Sequence, residues 1–187
     1  MHTYFIMEIK PEPPSLPSAF RLKTGFRFGL IISLINSLVG ITLYYMGLID
    51  YSGNSGGWIT FVLLGLGIYL ASEHYKKKNN GLMQHSDVVV TSLWMGLFSG
   101  CISVIFLLIQ MSADPSITEK MKDILEYQLE KQNMDGETYE RALELGQMFI
   151  NPWFLGTVTV ISSLISALIA GAILGFFLKK EKDSPFQ

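Results

Sequence analysis

Apolar positions along the chain gather into four blocks, and none of them shows the polar return that gives a surface helix its outer face. Not one of the 30 Lys, Arg, Asp and Glu residues falls within 29–49, 57–72, 88–111 or 153–178. A soluble helix carries charge along one side, so helices apolar all round are lipid-facing or deep core. A chain of 187 residues cannot bury four such helices completely. The pattern therefore predicts an all-α, integral membrane four-helix bundle with spans over 29–49, 57–75, 88–111 and 153–178. The first block covers about 31 Å at about 1.5 Å per residue, matching a hydrocarbon core of about 30 Å. The third and fourth can span with tilt. The second is short unless it continues through Glu73, His74 and Tyr75 with the following lysines snorkelling; a re-entrant segment is its alternative reading.

Between the third and fourth blocks, 112–151 alternates charge with apolar residues at helical spacing. Asp114-Pro115 marks a helix start, with a capping box from Ser116 to Glu119 as a second register. Ile117, Met121, Ile124 and Leu125 then share one face. Asn133 to Gly136 reads as a turn, and Tyr139, Ala142, Leu143 and Phe149 form a weaker second stripe. The prediction is an extracytoplasmic amphipathic helical hairpin between helices 3 and 4, either folded onto the bundle or lipid interface or docked to a partner. Residues 1–20 hold Pro11, Pro13, Pro14 and Pro17 and read as a proline-rich cytoplasmic tail; 21–180 form the membrane domain and 181–187 a second cytoplasmic tail.

Charge orients the bundle. The segments before the first span, between the second and third, and after the fourth hold ten basic against six acidic residues, including Lys76, Lys77 and Lys78. The hairpin holds four basic against nine acidic. By the positive-inside rule both termini are cytoplasmic. No cleavage site follows the first block, so it reads as an uncleaved signal anchor, and Met7 offers a second translation start. Aromatic residues at Tyr44, Tyr45, Trp58, Tyr69, Tyr75, Trp94 and Trp153 are placed as an interfacial belt. The single cysteine, Cys101, reads as a small packing residue.

Candidate sites are sparse. Small residues recur every fourth position: Ser163, Ala167, Gly171 and Gly175 in the last span, Gly96 and Gly100 in the third, Gly25, Gly29, Ser33 and Ser37 in the first. Such stripes let helices approach closely, within one bundle or between two copies. Asn36 is the most polar residue deep in a span and should face a neighbouring helix. Glu73, His74 and His85 are the one ionisable group that raises metal or proton-relay chemistry, but a zinc site wants three oriented ligands and neighbours on a helix diverge. No phosphate loop, nucleophile elbow or dinucleotide fingerprint occurs. The expectation is a non-enzymatic structural or interaction protein, without cofactor or metal and without nucleic acid. Its partners are the lipid bilayer and a second copy or another membrane protein, with Ile117, Met121, Ile124 and Leu125 as candidate docking residues. A small oligomeric transporter or channel is the alternative, weakened by the absence of charge within the spans.

The run Gly65-Leu-Gly67-Ile-Tyr69 with Glu73-His74-Tyr75-Lys76, Asp114-Pro115 opening the outer helix, Asn151-Pro152 before the last span and the Lys179-Lys180 finish resemble an uncharacterised family of Bacteroidetes-type bacterial membrane proteins, domain of unknown function 4199. The resemblance covers roughly 21–180. It implies a multi-pass inner-membrane protein and brings no established activity, substrate or site.

Overall fold

Proline at position 17 sets where the first helix starts. The computed structural model describes residues 16–47, 57–132 and 134–180. There, Pro17 is extended (ψ 146°) and α1 (Ser18–Tyr45) begins immediately after it. Proline fixes its own φ and disfavours helix in the residue before it, but nothing after it opposes helix. The tail expected over 1–20 thus yields its last three residues to helix, while 1–15 lie outside the described residues. Arg21, Lys23 and Arg27 lie within the helix, which is why a charge-free block marked its start eleven residues late.

Five further helices follow among the described residues: α2 (Gly57–Lys78), α3 (His85–Ala113), α4 (Ser116–Glu130), α5 (Gly136–Phe149) and α6 (Pro152–Leu178). Several boundaries have a local cause. Asn80 and Gly81 adopt the left-handed region (φ 53° and 82°), so that the Gly81 N–H reaches back to the Lys76 carbonyl at 2.8 Å and closes α2. Gln84 and Asp87 cap α3 reciprocally. Asp114 Oδ1 accepts from the N–H and hydroxyl of Ser116 (3.1 and 2.6 Å), opening α4. The Ser116 hydroxyl is thereby engaged with Asp114 and not with Glu119's turn. Asp135 Oδ1 accepts from the Thr138 N–H at 2.8 Å, and Asn151 Oδ1 from the Trp153 N–H at 2.9 Å.

Packing fixes the directions. A Cβ on Gly25 would meet Trp94 Cβ at 2.5 Å, and one on Gly29 the Met95 carbonyl at 2.8 Å, so α1 and α3 run parallel. Gly67 meets Ile32 while Tyr75, two turns on, meets Leu16 and Phe20, so α2 runs antiparallel to α1. Gly96 meets Ala167 while Gly175 meets His85, so α6 runs antiparallel to α3. The start of α1, the end of α2, the start of α3 and the end of α6 therefore share one end, the turn end; α4 and α5 belong to the other, the hairpin end. At the turn end, Met83 and Lys180 exchange backbone hydrogen bonds of 3.0 and 2.9 Å, tying the 79–84 turn to the exit from α6. Ile68, Tyr75, Val88, Met95 and Ala167 lie in the core between the long helices.

Among the described residues, α1, α3 and α6 are long and apolar enough to cross a membrane. Only 17%, 28% and 22% of their most apolar windows is buried within the chain. Their outer faces expose Leu38, Ile105, Ile109, Ile161, Ile173 and Phe176. Water would not tolerate so much contiguous apolar surface, and lipid would cover it. These helices suggest a membrane location.

Candidate functional site

The feature most unlike a bare lipid-facing bundle lies at the turn end, where α1, α2 and α3 converge on buried polar side chains. Arg21 sits on the first turn of α1, Tyr75 on the last turns of α2 and Asp87 on the first turn of α3. Asp87 Oδ1 lies 3.1 Å from Arg21 Nε, with side chains 1% and 20% exposed. The pair is close, yet its angle is not that of a hydrogen bond. The other carboxylate oxygen, Oδ2, accepts from the Gln84 N–H at 3.2 Å, so the helix cap holds Asp87 in place. Tyr75 is fully buried; its hydroxyl accepts from the Leu16 N–H at 3.1 Å and borders the Asp87 carboxylate. Phe20 packs on Tyr75 (5.7 Å between ring centroids) and stacks on His74 (6.1 Å).

One turn further into the bundle lie Thr24 on α1, Ser72 on α2 and Thr91 on α3, all buried. Ser72 Oγ and Thr91 Oγ1 make no hydrogen bond among the described residues. Burying a charge is tolerable only when it is paired and its remaining polar atoms are satisfied. This end of the bundle is thus where sequence and packing sit under tension.

Sequence reasoning passed over the cluster. Asp87 precedes the charge-free block by one residue, Arg21 reads as one of the basic residues flanking the first span, and Tyr75 was expected in an interfacial belt. The structure places Tyr75 in the core instead, because α2 carries it onto α1 rather than out to lipid. The available signal was Gln84-x-x-Asp87, a side-chain acceptor followed three residues later by a carboxylate, which is the spacing of a reciprocal cap.

The residues that the sequence did single out lie elsewhere. On α6, Ser163, Ala167, Gly171 and Gly175 all face α3: Ser163 Oγ donates to the Gly96 carbonyl at 2.8 Å, Gly100 faces Val160 and Ser163, Gly171 meets Ser92, and Gly175 meets His85. The stripe is a seam within one chain. Gly29 and buried Ser33 face inward on α1, and Ser33 Oγ donates to its own helix at Leu30. Asn36 is half-buried and makes no hydrogen bond among the described residues. Glu73, His74 and His85 do not form a cluster. Glu73 pairs with Lys76 at 3.0 Å, His74 lies against Phe20 and Phe28, and His85 Nε2 approaches the Ala172 carbonyl at 3.1 Å beside Phe176. Among the described residues no three His, Cys, Asp or Glu side chains stand together as a metal site would need. Cys101 is exposed and not a packing residue: it sits one position past Gly100, about 100° around the helix from the seam.

On the hairpin, Ile117 is 1% exposed, so that member of the expected docking face is already covered within the chain. Met121, Ile124 and Leu125 are half-buried, with Leu125 packed against Gly146 of α5. The exposed large apolar residues of the hairpin are Tyr127, Leu145, Met148 and Phe149 among the described residues, and Phe149 packs at a tilt against Phe154 of α6, 4.6 Å between ring centroids. Lys120 Nζ donates to the Tyr44 hydroxyl at 3.0 Å, which raises the ammonium's pKa above its ordinary value and joins α4 to the end of α1.

Comparison with known proteins gives a family and nothing finer. The family described as "Protein of unknown function (DUF4199)" matches residues 27–180. No curated protein and no solved structure matches the chain. The match takes in Ser72, Tyr75, Asp87 and Thr91 and begins six residues after Arg21.

Proposed function

The chain belongs to the DUF4199 family, and from that premise we propose that it is a four-span membrane protein of the bacterial inner membrane. In this reading the turn end and both termini are cytoplasmic, and the protein acts through interactions rather than catalysis. The observation that carries the topology is the parallel packing of α1 and α3. Two consecutive spans that run the same way need a return crossing between them, and α2 supplies it. Its 22 residues reach about 33 Å at about 1.5 Å each. The three lysines in its last turn sit at the turn end, where the positive-inside rule wants them. Reporter fusions within 76–80 and after Leu178 should be active in the cytoplasm, and one near Asn133 in the periplasm. Cytoplasmic activity at Asn133 would sink the four-span reading.

The accessory role is supported by the hairpin, a connection of about 40 residues where a tight turn would suffice. Crosslinking and mass spectrometry in native membranes should recover a stable membrane-protein partner or a homo-oligomer. Replacing 116–149 by a short Gly/Ser bridge should abolish that complex while the helices still insert. Met121→Glu with Ile124→Glu should do the same by unpacking the hairpin.

One observation favours the second reading, a small oligomeric transporter or channel. Asp87 is a carboxylate buried where three helices meet, the kind of group that coupled transport uses. Purified protein in liposomes should then pass protons or ions, with Asp87→Asn inactive. A tight liposome and full complementation by the hairpin deletion cannot both be found if either role is right.

A further inference from the structure

The four buried side-chain atoms without a hydrogen-bond partner among the described residues are Arg21 Nε, Ser72 Oγ, Asp87 Oδ1 and Thr91 Oγ1. All four lie within the turn-end half of the bundle, on α1, α2 and α3. Arg21 and Asp87 are 3.1 Å apart. Thr91 lies one turn beyond Asp87 on the same face of α3, and α1 packs onto the Thr91 backbone through Gly25. Ser72 lies one turn before Tyr75 on α2, and Tyr75 borders Asp87. An orphaned buried polar atom is costly, and four scattered ones would be hard to reconcile with a stable fold. Four that converge have a common remedy.

The geometry points to a structural water site among Arg21, Ser72, Asp87 and Thr91. Charge selects the ligand class. Guanidinium and carboxylate compensate each other, so neither a cation nor an anion is favoured, and a neutral molecule is. The donors and acceptors select further. Arg21 Nε needs an acceptor, Asp87 Oδ1 needs a donor, and each hydroxyl can serve as either. Water is the smallest neutral molecule that accepts from one and donates to the other, and two to four polar partners are what a buried water requires. It would complete the off-angle ion pair by bridging it. A bridged pair is solvated in both its joined and its separated state, so the start of α1 is attached to α3 by a contact that can rearrange.

Radiolytic hydroxyl-radical footprinting of the full chain in lipid nanodiscs, in water enriched in heavy oxygen, tests the site. Radicals born from a bound water label the nearest reactive side chain even when bulk solvent cannot reach it. Tyr75 is the reporter, fully buried beside the cluster, and Met95, equally buried and intrinsically more reactive, is the dry control. The expected result is heavy-oxygen label on Tyr75 with none on Met95. In Ser72→Ala/Thr91→Val, with helix content unchanged, the Tyr75 label should be lost. No label on Tyr75 overturns the site. Equal label on Tyr75 and Met95 also overturns it, since the whole core would then be open. So does label on Tyr75 that survives the double substitution, because the hydroxyls would not be holding the water.

Discussion

The two ends of this bundle use charge in opposite ways. At the turn end the charge is mostly basic and the decisive groups are buried: Asp87 is 1% exposed against Arg21, Tyr75 is closed off, and the helix ends are joined by Met83 to Lys180. At the hairpin end charge is plentiful and exposed. The Arg141–Glu137 pair has side chains 74% and 77% exposed, and α5 contains no buried residue at all. Water screens an exposed pair until little is left, whereas a buried one is unscreened and its loss is felt in full. The turn end is therefore where small chemical changes should alter the bundle, and the hairpin is where they should be absorbed.

The sharpest way to break that contrast is Asp87→Ala. It strands the Arg21 guanidinium and should cost about 3–5 kcal/mol, read as a large drop in the thermal midpoint in detergent. Replacing both partners, Arg21→Met with Asp87→Leu, should recover most of it, since an apolar pair of similar volume leaves no stranded charge. If Asp87→Ala melts like the parent, the turn end is no more sensitive than the surface.

Next in size is the α3–α6 seam, which joins the two ends. Gly171→Leu and Ala167→Leu each force a side chain into Ser92 or Gly96 and should cost about 1–3 kcal/mol. Leu168 is exposed, so Leu168→Ile should be nearly silent. Equal melting of all three would mean that the seam tolerates separation.

Smaller again is the effect of pH on the hairpin. The Thr138 N–H holds the Asp135 carboxyl below its ordinary value of 3.8. A depressed carboxylate lends stability that is complete above the unfolded pKa and fades as pH falls through the folded one. The start of α5 should therefore fray only below about pH 4, seen as faster amide exchange at Thr138 and Tyr139, and Asp135→Asn should remove most of that acid sensitivity because the amide still caps. Fraying that sets in near neutral pH would point to a different group. The least effect belongs to Glu137→Gln. Removing this exposed partner of Arg141 should leave the melting midpoint unchanged at physiological salt, and a measurable loss would show that the hairpin is less solvated than its exposure suggests.

Much of this architecture was legible before any coordinates. The charge-free blocks located α1, α3 and α6, the Asp114-Pro115 and Asn151-Pro152 steps located the helix starts around the hairpin, and the short motifs pointed to the family whose match runs over 27–180. The small-residue stripe on α6 was visible as a period, but not the surface that it meets. Its partner proved to be α3 of the same chain. The hairpin's apolar stripe was equally visible, yet Ile117's cover within the chain was not.

What the sequence determined by itself is whatever depends on local chemistry: where helix can persist, where proline or a left-handed glycine ends it, and which stretches lipid would accept. These follow from one segment's own backbone and side chains. Tertiary structure alone decided that Arg21, Tyr75 and Asp87, 54 and 12 positions apart in turn, would share one buried site, and that Cys101 would face out while Gly100 faces in. A charge near the end of a helix reads the same along the chain whether it meets water or another helix. Only the packing of α1 and α2 over the first turn of α3 took Asp87 out of bulk water and made it the most consequential carboxylate among the described residues.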